Sequence, residues 1–168
     1  MIKVGILTIS DKGSQGKRKD LSGKIIKDIV LKINGEVQYY KIIPDEKKMI
    51  KEELLKIVDK LHLDLIFTTG GTGLAKRDVT PEATLEVIDK EVPGINEIIR
   101  SESFKKTKRA ILSRAVAGIR KESLIINLPG SPSGVKESIE IVLETIPHGI
   151  EILKGQTSEC GKNSGEAG

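Results

Sequence analysis

The stretch "LDLIFTTGGTGLAKRDVTPEATLEV", residues 63–87, decides the fold. Its first seven residues, Leu63–Thr69, make a nearly unbroken apolar and β-branched run, the mark of a strand buried on both faces. Gly70, Gly71 and Gly73 follow within four positions, so the chain turns there with a backbone freedom other residues lack. Pro81 suits the first turn of a helix running through Asp89, with Thr80 placed as its N-cap. Strand, glycine turn and helix in this order form half of a parallel β-α-β unit.

The same alternation recurs outward from this unit. "KVGILTIS" (Lys3–Ser10) reads as a first buried strand. From Asp20 to Ile33 a helical stripe carries Ile25, Ile26, Ile29 and Val30, and Asn34-Gly35 stops it. "EVQYYKII" reads as a second strand ending at Pro44, and Ile50, Leu54, Ile57 and Val58 then share one helical face. Pro93-Gly94 breaks the helix begun at Pro81, and a weaker helical pattern resumes at Ile95. "ESLIINL" (Glu122–Leu128) is a fourth strand, and a last stripe runs from Val135 to Leu153, with Pro147 predicted to bend or restart it. This order predicts an α/β fold: a mostly parallel central sheet with helices on both faces, in one domain over residues 1–154. Residues 155–168 are small and polar and predict a flexible tail. Cys160, the single cysteine, falls in that tail, a poor setting for a catalytic thiol.

Composition narrows the function classes. The chain has 168 residues, 38% hydrophobic and 31% charged, as in soluble globular proteins. With two Phe, two Tyr and no Trp, it lacks the rings that single-strand nucleic-acid platforms stack on. No apolar run reaches membrane-spanning length, and "MIKVGILTIS" reads as a strand rather than a signal peptide, so a cytoplasmic location is expected. His62 and His148, the two histidines, lie in no Cys/His cluster, which argues against a structural zinc site. Seven basic residues and no acidic one lie between Phe104 and Lys121, and without them the net charge of +4 turns negative. Such a patch suits either a solvated face or an anionic ligand.

In an open parallel sheet, ligands bind beyond the carboxyl ends of the strands. Those ends carry Ser10-Asp11, Asp45, Gly70-Gly71-Thr72-Gly73 and Pro129-Gly130-Ser131. Each motif alone is an ordinary turn; together they converge on one edge. The glycine loop is neither a P-loop nor a dinucleotide fingerprint, because no Gly-Lys-Ser/Thr follows and Lys76 stands where a third glycine belongs. Its successive N–H groups still suit an anion-binding nest, to which Thr69 and Thr72 add hydroxyls. Asp78 has no evident structural duty in the sequence: it is a loop acid paired with Arg77, or a seat for a divalent cation between carboxylate and phosphate. Asp45 caps the helix beginning at Glu46, or serves the same chemistry. Ser113 and Arg114 decorate a helix, or grip phosphate.

Taken together, "ISD", "IPDE", "TTGGTGLAKRDVTPEAT", "ILSRAVAGIRK" and "INLPGSP" resemble the molybdenum-cofactor biosynthesis family that includes MogA and MoaB. The segments span roughly Lys3 to Leu153, and the match is closest to the molybdopterin adenylyltransferases of that family. The resemblance implies a three-layer α/β/α domain, usually trimeric, that uses Mg²⁺ and ATP to transfer AMP to the terminal phosphate of molybdopterin. It carries catalytic importance and metal binding onto Asp45 and Asp78. It carries substrate binding onto Ser10, Asp11, Gly70, Gly71, Thr72 and Gly73, and onto Ser113, Arg114, Pro129, Gly130 and Ser131. A non-catalytic molybdopterin-binding scaffold is the alternative. A molybdenum insertase fits poorly as the identity of this chain, because those relatives carry large extra domains, but it suits a downstream partner.

Overall fold

The computed structural model describes residues 1–156. The strands are β1 (Ile2–Ile9), β2 (Gly35–Ile43), β3 (Leu65–Thr69), β4 (Lys90–Glu91), β5 (Ala117–Arg120) and β6 (Ser123–Leu128). The helices are α1 (Asp11–Ser14), α2 (Leu21–Val30), α3 (Lys47–Asp59), α4 (Thr80–Leu85), α5 (Pro93–Lys106), α6 (Pro132–Val142) and α7 (Ile146–Leu153). The strands form one sheet in the order β2-β1-β3-β6-β5-β4. The pairs β1–β2, β1–β3 and β3–β6 are parallel, while β6–β5 and β5–β4 are antiparallel.

Strands β1, β3 and β6 are buried on both faces, which is why they read as continuous apolar runs. Alternate residues separate two cores. Val4, Ile6, Leu65, Phe67 and Ile126 pack against α2, α5, α6 and α7. Leu7, Ile66 and Ile125 pack against α3 and α4 on the other face. The result is the expected three-layer arrangement with a mostly parallel sheet.

Several local expectations change. Helix α4 ends at Leu85, not Asp89, because the chain turns there into the short strand β4. Pro93 starts α5 rather than breaking a helix, since a proline at the first turn removes an N–H that would have had no partner. The stretch after Ser113 enters β5, not a helix, and an Arg120–Ser123 pair closes a tight hairpin to β6 with Lys121 at φ 52°. Pro147 acts as predicted: α6 ends at Val142, a 3-10 turn spans Leu143–Thr145, and α7 restarts with the proline in its first turn. Except for Gly155 and Gln156, the expected polar tail, with Cys160, lies outside the described residues.

This connectivity positions the site. From β1 the chain passes to β2 on one side and then to β3 on the other, so the β1/β3 junction is a topological switch point where loops diverge and leave a crevice.

Candidate active site

At that junction the glycine loop leaves β3 and lies directly against β1. A Cβ on Gly70 would stand 2.2 Å from the Ile9 carbonyl oxygen, and Gly70 has φ +99°. A Cβ on Gly71, at φ +66°, would stand 2.3 Å from Thr80 Oγ1. Only glycine fits both the conformation and the approach.

The loop's polar groups are divided by direction. Each carbonyl from Gly70 to Gly73 accepts a hydrogen bond from the protein. Thr80 Oγ1 donates to Gly70 O at 2.9 Å and Thr80 N to Gly71 O at 3.1 Å. Arg114 N donates to Thr72 O at 2.9 Å, and Arg114 Nε to Gly73 O at 2.8 Å. Among the described residues, the N–H groups of Gly71, Thr72 and Gly73 donate to no protein acceptor. A run of free donors with occupied carbonyls is an arrangement that suits an anion.

Both expected acids lie against this loop. A Cβ on Gly71 would stand 3.1 Å from Asp45 Oδ1, and one on Gly73 would stand 2.8 Å from Asp78 Oδ2. Burial pushes the Asp45 carboxyl above its ordinary value, and the negative charges of Asp11 and Asp78 push the same way. Asp45 is no helix cap: Glu46 holds that position in α3. Instead, Asp11 N donates to Asp45 Oδ2 at 2.9 Å and Asp45 N to Asp11 Oδ1 at 3.1 Å. Asp78 does have a structural bond, accepting from Ala75 N at 2.9 Å. Arg77 pairs with Asp11 and Glu46. Thr80 is not a cap either: Val79 precedes the first turn of α4, and the buried Thr80 hydroxyl serves Gly70.

A cavity of about 660 Å³ opens at the junction, a size suited to a small ligand. Of the expected site residues, Ser10, Asp45, Gly70, Gly71, Gly130 and Ser131 line it. Asp11, Thr72, Gly73, Asp78, Ser113, Arg114 and Pro129 do not line it; they lie in the segments around it. Pro129 O accepts from Thr69 Oγ1 at 2.7 Å. Ser113 Oγ accepts from Ala115 N at 3.3 Å. The Arg114 guanidinium lies behind the loop, on Gly73 O, Asp78 O and the Glu82 carboxylate. Ser131 also caps α6 through Gly134 N.

The cavity has a second wall that the sequence reading missed, formed by Arg18, Lys19, Asp20 and Ser22. Asp20 caps α2 through Gly23 N at 2.9 Å and accepts from Thr8 Oγ1 at 2.6 Å and Tyr40 OH at 2.5 Å. Burial, then this carboxylate, pushes the Tyr40 phenol above its ordinary value. An Asp heading an amphipathic run was the available signal. The long basic run, by contrast, is largely neutralised by acids from elsewhere: Lys105 by Glu102, Lys106 by Glu137, Arg114 by Glu82, and Arg120 and Lys121 by Asp59. The cations lining the cavity are Arg18 and Lys19.

Residues 5–148 match the family described as "Probable molybdopterin binding domain". The chain is 43% identical to a molybdopterin adenylyltransferase of Helicobacter pylori over 168 residues, covering 99% of this chain and 96% of that one. It is 38% identical over 169 residues to the Escherichia coli K12 protein of the same name, covering 92% and 86%. Among solved structures, the molybdopterin biosynthesis enzyme MoaB of Thermus thermophilus superposes with a TM-score of 0.88 at 50% identity, over 92% of this chain and 98% of that one.

Proposed function

The chain belongs to the probable molybdopterin binding domain family, and from that premise we propose that it is a molybdopterin adenylyltransferase. A terminal phosphate oxygen of molybdopterin attacks the α-phosphorus of ATP. The new P–O bond forms as the bond to pyrophosphate breaks, and pyrophosphate leaves with the electron pair. The observation that carries this reading is the row of undonated N–H groups at Gly71–Gly73, flanked by the Asp45 and Asp78 carboxylates. Nucleotidyl transfer depends mainly on holding phosphates in line and stabilising their charge. The nest orients phosphate oxygens, and Arg18 and Lys19, which line the same cavity, offset their charge.

Asp45 and Asp78 fit a Mg²⁺ ion. Their mutual repulsion contributes to the raised Asp45 value, and a divalent cation held by both would relieve it. No group of three or more His, Cys, Asp or Glu side chains forms a metal cluster among the described residues, so phosphate oxygens would complete the coordination. Bound there, the ion would neutralise charge on the transferring phosphates. We further infer a homotrimer in the cytoplasm that hands its product to a molybdenum insertase. The exposed Leu74, Ile111 and Leu112 offer apolar surface for subunit contacts, and no described helix is long and apolar enough to cross a membrane.

The test is pyrophosphate release from ATP with and without molybdopterin. Release that requires molybdopterin supports the reading; binding of molybdopterin without release makes the chain a carrier.

A further inference from the structure

Arg77 joins three segments that follow three different strands. It lies in the loop after β3, one residue before Asp78. Its Nε donates to Asp11 Oδ2 at 2.5 Å and its Nη2 to Asp11 Oδ1 at 2.9 Å, at the start of α1 just after β1. Nη2 also donates to Glu46 Oε1 at 2.9 Å, in the loop after β2. Asp11, held in this fork, meets Asp45 through the reciprocal bonds described above, in which each main-chain N–H donates to the other's carboxylate. The chain of contacts therefore runs Asp78–Arg77–Asp11–Asp45, by covalent bond, bidentate ion pair and hydrogen bond.

The arrangement is poorly explained as a stabiliser of the fold. The Arg77 side chain is 55% exposed and that of Glu46 53%, and exposed pairs contribute about 1 kcal/mol or less. As a geometric device it is well suited, because a planar guanidinium fixes a carboxylate in orientation as well as distance. Arg77 also cannot reach a bound phosphate through Nε and Nη2 without releasing Asp11.

We infer that Arg77 is a positioning residue: it sets the spacing of Asp45 and Asp78 and thereby their affinity for a divalent cation carried with the nucleotide. This rests on the adenylyltransferase reading. Arg77 touches neither carboxylate directly, but by fixing Asp11 it restrains the segments that carry Asp45 and Asp78 before the ligand arrives, so losing it weakens cation uptake rather than the chemistry that follows.

The experiment compares the parent with Arg77→Gln, Arg77→Lys, Asp11→Asn and the Arg77→Gln/Asp11→Asn double variant. Mn²⁺ uptake is read by electron paramagnetic resonance in the presence of an ATP analogue with a methylene between the α- and β-phosphorus. Pyrophosphate release is read across a Mg²⁺ titration. Arg77→Gln is expected to weaken Mn²⁺ uptake about tenfold and raise the half-maximal Mg²⁺ concentration about tenfold, while saturating Mg²⁺ restores most of the rate. Arg77→Lys falls between, because an ammonium cannot make the fork. The double variant is no worse than Arg77→Gln, since both act through one contact. Unchanged Mn²⁺ uptake overturns the inference. So does a rate loss that saturating Mg²⁺ leaves in place, which would make Arg77 a direct phosphate contact. Absence of molybdopterin-dependent turnover in the parent sinks the adenylyltransferase reading instead, and Mn²⁺ uptake is measured without turnover.

Discussion

Arg114 holds Gly73 from behind the glycine loop: its Nε donates to the Gly73 carbonyl at 2.8 Å, while its Nη2 reaches the Asp78 carbonyl at 2.7 Å. One side chain thus ties the anion nest to the loop segment bearing Asp78. Its Nη1 meets Glu82, whose other carboxylate oxygen is buried with no hydrogen-bond partner among the described residues. Arg114→Gln is expected to cut turnover about a hundredfold by letting the loop shift. It also costs about 1–2 kcal/mol of stability by leaving Glu82 uncompensated, in a pair still partly open to solvent. Adding Glu82→Gln should recover the stability but not the turnover, as read by urea unfolding and pyrophosphate release.

Gly70→Ala is expected to cost about 3 kcal/mol or more, because the new Cβ meets the rigid Ile9 carbonyl and the residue must keep a positive φ. The loss is read as a lower urea midpoint. A midpoint equal to the parent's would show that the β1–β3 approach is looser than 2.2 Å implies.

Asp78→Ala removes only the bond from Ala75 N, in an exposed loop, so the loss of stability is expected to stay near 1 kcal/mol or below. Turnover should fall about a hundredfold or more, since one of the two carboxylates proposed to hold the divalent cation is gone. A variant that still turns over near the parent rate takes Asp78 out of the mechanism.

Asp45 is expected to trade stability for function. Its folded value is raised, so the fold binds a proton there more readily than the unfolded chain does, and stability declines as pH rises through the folded value. Asp45→Asn should therefore unfold at a higher temperature than the parent at neutral pH while losing turnover. An unfolding temperature below the parent's would contradict this.

Asp59 has the opposite sign. Hydrogen bonds from Arg120 and Lys121 hold its carboxyl down at about 2. Its stabilisation is complete above the ordinary value of 3.8 and is lost as pH falls toward about 2. Thermal unfolding followed from pH 5 to pH 2 should show that loss, and Asp59→Asn should flatten it. Glu86, held at about 2 by Lys47 and Lys51, contributes in the same window, so some slope remains.

Reading the sequence worked where a residue's neighbours in the chain decide its state. The strands buried on both faces, the glycine turn and the restart at Pro147 are local patterns, and each is in place. It worked less well for β4 and β5, which are two and four residues long, too short for a clear periodicity, and whose mutual pairing joins Lys90 to Ile119 across a helix. The charged residues were least legible: Arg114 looked like a phosphate ligand and Arg77 like a partner for Asp78, because sequence shows which charges exist but not which acid each arginine meets.

By itself, then, the sequence determined the α/β alternation, the strand ends that carry polar turns, and the acids beside the glycine loop. These follow from side-chain periodicity and from the backbone freedom of glycine, which act over a few residues. Only the tertiary structure decided how the loop's polar groups are oriented. Thr80 and Arg114, seven or more residues beyond the last loop glycine, occupy its carbonyls and leave the N–H groups of Gly71, Thr72 and Gly73 without protein acceptors. It also brought Asp20, far from that loop in sequence, to the same cavity, because packing of α2 against the sheet sets that distance and chain separation does not.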